Sequence, residues 1–268
     1  MVKNVVRIIK KIALALFYIL IYFAFLYLLS WQVDFLEEDA QNYSDVVTIL
    51  ASIASLGVYL IILYMREKRV GRYIKIRDIT VIDAVLSFMM AVGFRVLTGA
   101  YLLWSETNIP VLKKSIEGAQ QGYNFNTMTT VCIISAILSV CLVAPVFEEI
   151  LFRGFVLKEL RGAMSDKVAI LIQGLLFGLA HAALAQSLFA AVYGIILGAV
   201  YLRCRNLSVV IFSHIVFNVS SVLEVKNTDM LWQMFFTGVT LTGVSIVIFF
   251  YIHRRQKPEM SGKITGGN

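Results

Sequence analysis

The sequence predicts an all-α, polytopic membrane protein, and three observations carry that prediction. Of its 268 residues 59% are hydrophobic and only 15% are charged, which leaves too little polar surface to cover a water-soluble domain. The apolar residues gather into about eight blocks of roughly 16 to 26 residues, the length a helix needs to cross a hydrocarbon core of about 30 Å. No period-two alternation runs through them, so a barrel is not indicated.

The blocks follow in order. Ile12–Leu29 comes after Lys3, Arg7, Lys10 and Lys11; this resembles the start of a signal peptide, but without a small-residue cleavage site the block is expected to be retained. Val46–Met65, Ile79–Trp104 and a fourth block from Met128 to about Leu157 are all long enough to span, as is Val168–Ala185. The sixth and seventh, Ser187–Leu202 and Leu207–Leu223, sit at or below the usual lower limit, so they are expected to lie within the bundle or to frame a thinned, wetted interior. Leu231–Ile252 closes the set. The longest polar connection, Ser105 to Thr127, reads as a lid or surface loop. With no repeat and no low-complexity tract, residues 1–268 read as one membrane-embedded domain.

A net charge of +7 invites a nucleic-acid partner, but its distribution argues for none. Basic residues crowd the N-terminal arm, Arg66 to Arg77, Arg153 to Lys167, Arg203 with Arg205, and the tail from Arg254, while the alternate connections are poor in them. With an even number of spans, the positive-inside rule places both termini in the cytoplasm. Cys132, Cys141 and Cys204 show neither a pairing pattern nor metal-ligand spacing and read as small apolar filler. Gly174 with Gly178, and Gly194 with Gly198, recur at the four-residue spacing that lets two helices approach closely in lipid.

Against this background some residues are out of place. "EEILFR" puts Glu148, Glu149 and Arg153 inside the fourth block, "FGLAH" puts His181 in the fifth, and "HIVFN" puts His214 and Asn218 in the seventh. Charges at mid-membrane cost roughly 2.5 kcal/mol or more each on insertion scales, so they usually face a cavity and serve a purpose. Glu149 and Arg153 are four apart and share a helix face, whereas Glu148 is rotated by about 100°. Glu149 is thereby neutralised and Glu148 left free. Counted at about 1.5 Å per residue from the cytoplasmic ends, Glu148, His214, Asn218 and His181 fall about 14, 10, 16 and 20 Å deep, close enough to converge on one site.

A carboxylate beside a histidine can take a proton from water and make it a nucleophile. A second histidine and an asparagine amide can donate hydrogen bonds to the oxyanion that forms on an attacked carbonyl. That combination suits hydrolysis of a peptide bond. Two histidines and a glutamate also match a hydrolytic zinc set, although they come from three helices and lack HExxH spacing. The residues alone leave that alternative open, with a metal-free site preferred.

Read together, the EExxxR, FxxxH and HxxxN patterns, in this order, resemble the CAAX protease and bacteriocin-processing family, the intramembrane glutamate endopeptidases that include the type II CAAX prenyl endopeptidases. The matching part runs over about 129–220. The resemblance implies that Glu148 and His181 activate water, that His214 and Asn218 form the oxyanion hole, and that Glu149 and Arg153 support them. It also implies a peptide or lipidated-protein substrate, in maturation of peptide signals or in bacteriocin self-immunity, entering from the cytoplasmic side of a bacterial plasma membrane. The alternatives are a non-catalytic membrane immunity or regulatory protein acting by partner binding, and a transporter, which would call for inverted repeats that this chain lacks. Asp83 and Arg95 in the third block receive no role, Asp83 being read as interfacial. Neither the substrate nor the oligomeric state follows from the sequence.

Overall fold

The computed structural model describes residues 2–36, 43–66, 68–120, 129–181, 183–221 and 228–255. Among them there is no strand. The helices are α1 (Val2–Leu36), α2 (Ser44–Met65), α3 (Val81–Asn108), α4 (Pro110–Gln120), α5 (Thr130–Arg161), α6 (Asp166–Leu179), α7 (Leu184–Cys204), α8 (Leu207–Ser220) and α9 (Leu231–Ile252). Six are long and apolar enough to cross a membrane: α1 over Val5–Val33, α2, α3, α5, α7 and α9. The protein is an integral, multi-pass membrane protein.

Two sequence expectations need correction. The short elements are the fifth and seventh blocks, not the sixth and seventh: α6 and α8 have 14 residues each, while α7 has 21. Helix α6 stops at Leu179 because the ring of His181 takes over a carbonyl of its last turn, with Nδ1 2.8 Å from the Phe177 oxygen. His181 therefore stands just beyond α6 rather than inside it. The connection from Ser105 is also not all loop. Helix α3 continues to Asn108, and Pro110 opens α4 at the one helical position where a missing N–H costs nothing. Leu112 and Ile116 of α4 are buried with Ala185, and Ser115 Oγ accepts from the Ala185 amide at 3.1 Å. Part of the connection, 121–128, lies outside the described residues.

Side-chain caps begin three of the helices. Thr80 accepts from the Asp83 amide at 3.2 Å, Thr129 from Cys132 at 3.3 Å, and Asn206 from Ser208 at 3.1 Å, each satisfying a first-turn donor that has no partner within its helix. Asn206 does more. Its Oδ1 also accepts from the Arg77 amide at 3.1 Å, and its Nδ2 donates to the Arg77 and Asp78 carbonyls at 3.3 and 3.1 Å. One side chain thus fastens the α2–α3 connection to the α7–α8 corner.

Glycine sets the closest helix contacts. A Cβ at Gly174 would lie 2.3 Å from Ile195 Cγ1, one at Gly178 2.5 Å from the Ser187 carbonyl oxygen, and one at Gly194 3.1 Å from Gly174 Cα. The α6–α7 pair is packed as the spacing predicts. A second crossing, between α3 and α9, uses Gly93 and Gly238: a Cβ at Gly238 would lie 2.7 Å from the Leu97 amide nitrogen. These two glycines are 145 residues apart, so no local spacing announces them.

At one end of the bundle the ends of α1, α2 and α5 meet around Glu159, which is fully buried. It pairs with Lys11, accepts from Arg66 at 2.9 Å and from the Tyr73 hydroxyl at 2.9 Å. Burial and the adjacent carboxylate raise the Tyr73 phenol above the ordinary tyrosine range, so it remains a donor. At the start of α3, Asp83 is buried against the protein; its Oδ1 lies 3.4 Å from Nε2 of His253, which stacks on Phe249.

Candidate active site

Helix α5 carries the two glutamates on a short α-helical stretch, Ala144–Glu149, bounded by wider π-helical turns at Ser139–Val143 and Ile150–Val156. Proline explains the first of these. Pro145 has no N–H and its ring crowds the preceding turn, and a π turn lets the helix continue past it. In the π register the carbonyl of Val140 would seek the N–H of residue 145, which proline lacks. Asn218 of α8 fills that vacancy, its Nδ2 donating to the Val140 oxygen at 2.7 Å. A backbone acceptor left over by the sequence of α5 thus positions a side chain of α8.

The next turn holds the charges. Glu149 and Arg153 are both fully buried, with Arg153 donating to Glu149 Oε1 at 2.7 Å and to the Gly194 carbonyl at 3.1 Å. The pair expected from the four-residue spacing is present. The same Oε1 also meets Nδ1 of His214 at 2.8 Å, a contact the sequence reading did not include. With Nδ1–H donated to the carboxylate, the ring's orientation is fixed and Nε2 is turned elsewhere. It lies 3.9 Å from Glu148 Oε2. Glu148 is the partly exposed member of the pair, its side chain 20% accessible against 0% for Glu149. Its Oε2 has no hydrogen-bond partner among the described residues.

His181 enters from the end of α6. Because its Nδ1 faces the Phe177 carbonyl, which can only accept, that nitrogen donates a hydrogen bond and Nε2 is the ring nitrogen left to face other groups. Phe177 stands between the two histidines, its ring centroid 5.0 Å from His181 and 5.8 Å from His214, with the Arg153 guanidinium 4.7 Å from the same centroid. Tyr193 closes the other side of His214, edge to face at 5.9 Å, and its hydroxyl is held by the carbonyl and Oγ of Ser213 at 3.0 Å. Glu148, Glu149, Arg153 and His214 therefore form one connected cluster, His181 adjoins it across Phe177, and Asn218 lies one turn beyond His214. Among the described residues no group of three or more His, Cys, Asp or Glu side chains is arranged to hold a metal ion.

Comparison with known proteins falls on the same stretch. Residues 130–220 match the family model described as "Type II CAAX prenyl endopeptidase Rce1-like". This segment is similar to that family. The chain is also 29% identical over 170 residues to "Putative membrane peptidase YdiL" of Bacillus subtilis (strain 168), an alignment covering 53% of this chain and 67% of that relative. No solved structure matches.

The matched segment contains all six side chains singled out from the sequence, together with Phe177, Tyr193 and Gly194. Asp83 and Arg95 lie outside it. Besides the His214–Glu149 contact, the sequence reading missed two backbone contributions: the Gly194 carbonyl that holds Arg153, and the Val140 carbonyl that holds Asn218. The first had a visible signal in the glycine spacing of α7. The second could have been found at Pro145, since a proline within a helix always leaves an acceptor to be satisfied.

Proposed function

We propose that the chain is an intramembrane peptidase that hydrolyses a peptide bond of a membrane-associated peptide or protein by means of activated water. The observation that carries this reading is Glu148 Oε2, without a hydrogen-bond partner among the described residues and 3.9 Å from His214 Nε2. The likeness of residues 130–220 to Rce1-like endopeptidases, and of the chain to a protein named a membrane peptidase, supports it.

In this mechanism Glu148 takes a proton from water, with His181 Nε2 orienting the water or sharing the proton, and the hydroxide oxygen bonds to the substrate carbonyl carbon. The carbonyl π electrons move onto oxygen, and the oxyanion accepts from His214 Nε2–H and from the second Nδ2 hydrogen of Asn218, the first being given to Val140. His214 then carries both ring protons. With Glu148 now protonated, the Glu149 carboxylate and the oxyanion balance the guanidinium and the imidazolium, so the buried cluster carries no net charge at this step. The proton held by Glu148 passes to the leaving nitrogen as the C–N bond breaks. Water and substrate enter from the cytoplasmic side, and the biological setting is peptide maturation or bacteriocin self-immunity. The reaction needs no metal in this reading.

The test compares membrane-peptide profiles of cells expressing the wild type, Glu148→Gln or His181→Ala at matched levels. Accumulation of an unprocessed peptide in both variants, insensitive to chelator in the wild type, is expected. Unchanged processing in both variants overturns the peptidase, and loss with chelator that zinc restores overturns the metal-free mechanism.

A further inference from the structure

The two groups assigned to the oxyanion, His214 and Asn218, are carried by one short helix, α8, of 14 residues. They stand one turn apart on the same face, so a rotation of α8 about its own axis displaces both together. A side chain reaches about 5–6 Å from the axis of its helix, and a rotation of about 10° at that radius moves a ring by about 1 Å, a misplacement of the size that costs a reaction about 100-fold. The bonds from His214 to Glu149 and from Asn218 to Val140 fasten side-chain tips. They leave the rotation of the α8 backbone to other contacts.

Tyr193 of α7 supplies such a contact. Its hydroxyl stands 3.0 Å from both the carbonyl and the Oγ of Ser213, the residue immediately before His214. The direction of these bonds can be assigned by counting hydrogens. Ser213 Oγ gives its own hydrogen to the Ser87 carbonyl of α3 at 3.3 Å, so towards Tyr193 it accepts, as the Ser213 carbonyl must. Tyr193 is therefore the donor, and the series of bonds runs from α7 through α8 to α3. The ring itself is clamped. It stacks on Phe94 of α3 at 4.8 Å and 14°, lies against Phe217 of α8 at 4.7 Å, and meets His214 edge to face at 5.9 Å. Tyr193, Ser213 and Ser87 are all buried, so these bonds form away from water, where each is stronger than at a surface.

We propose that Tyr193 is a positioning residue of the peptidase, its hydroxyl fixing the rotation of α8 so that His214 Nε2 and Asn218 Nδ2 aim at one oxyanion. The proposal rests on the reading of those two side chains as oxyanion donors. Tyr193 does not contact the reacting atoms in this role; it acts on His214 through Ser213. Helix α3, which contributes Ser87 and Phe94 to the clamp, lies outside the segment matched by the family model. Part of the precision of the site is thus built from beyond that segment.

The full chain, labelled with heavy nitrogen in histidine only, is purified in uncharged detergent. It has three histidines, so the ring nitrogens are few enough to resolve by NMR, and His214→Gln identifies the signals of His214. Tyr193→Phe keeps the ring and removes the hydroxyl. It is expected to shift or broaden the His214 ring signals while those of His181 and His253 stay in place. It is also expected to lower the single-turnover rate, on the peptide that accumulates in Glu148→Gln cells, by about tenfold, the size of one lost buried hydrogen bond, with the half-saturating enzyme concentration unchanged. Ser213→Ala removes one of the two acceptors, moves the same signals and lowers the rate by about threefold. Tyr201→Phe, a hydroxyl deletion two turns further along the same face of α7, alters neither readout. Unmoved His214 signals in Tyr193→Phe, whatever its rate, overturn the proposal, as do moved signals with a wild-type rate or an equal effect of Tyr201→Phe. If no peptide accumulates in Glu148→Gln cells, the peptidase reading fails and the catalytic role falls with it, while the ring spectra still decide whether Tyr193 holds His214. If Tyr193→Phe does not fold, Ser213→Ala decides by the same two readouts.

Discussion

The Glu149–Arg153 pair lends itself to a double-mutant cycle whose outcome follows from burial. Both side chains are inaccessible to solvent, and Glu149 Oε1 serves Arg153 and His214 at 2.7 and 2.8 Å. Arg153→Met leaves a buried carboxylate with only the His214 N–H, and Glu149→Gln leaves a buried guanidinium with no counter-charge hydrogen-bonded to it, only neutral acceptors, the glutamine oxygen and the Gly194 carbonyl. Each single change is expected to cost about 3–5 kcal/mol, the usual price of stranding one charge of a buried pair. In Glu149→Gln/Arg153→Met no charge is stranded, and the glutamine oxygen can still accept from His214. The double variant is therefore no worse than the weaker of the two singles, and the coupling term is about 3 kcal/mol or more. The assay is equilibrium unfolding in mixed micelles, followed by circular dichroism for all four proteins. Additive costs would refute the reasoning, because they would mean that neither charge depends on the other for its solvation.

Three further outcomes are expected. Gly178→Ala places a Cβ 2.5 Å from the Ser187 carbonyl oxygen, which is backbone and has little freedom to move, whereas Gly57→Ala meets nothing within 4 Å; unfolding measurements should show the first destabilised by about 1–3 kcal/mol and the second unchanged or slightly stabilised. Asn206→Ala removes a helix cap and three hydrogen bonds to the α2–α3 connection, so it should cost about 1–2 kcal/mol and speed hydrogen exchange in residues 74–80. Arg205→Gly relieves a left-handed conformation and should raise the unfolding free energy by about 1 kcal/mol, measured in detergent without added lipid.

The fold was legible wherever composition and local spacing determine it. Apolar runs of span length gave the helices, and the Gly174/Gly178 and Gly194/Gly198 spacings gave the α6–α7 contact, because these signals need only neighbours along the chain. Glu149 with Arg153 was legible for the same reason. What escaped was non-local or depended on competition for a single backbone group. The Gly93–Gly238 crossing joins residues with no common motif, and the bond from His214 to Glu149 spans 65 positions. The early end of α6 turned on one imidazole outcompeting a backbone amide for the Phe177 carbonyl, an outcome that propensity cannot rank. The polar look of residues 105–120 concealed α4, because only Leu112 and Ile116 are needed to seat it.

The order in which these groups are synthesised gives the i to i+4 pairing a further meaning. Glu149 gains its histidine only after 65 more residues have emerged from the ribosome, and the Gly194 oxygen that steadies Arg153 arrives after 41. Arg153, by contrast, is carried on the same helix and reaches the translocon together with the glutamate. The carboxylate can therefore partition into lipid already neutralised, and α5 does not have to wait for α7 and α8 before it leaves the translocation channel.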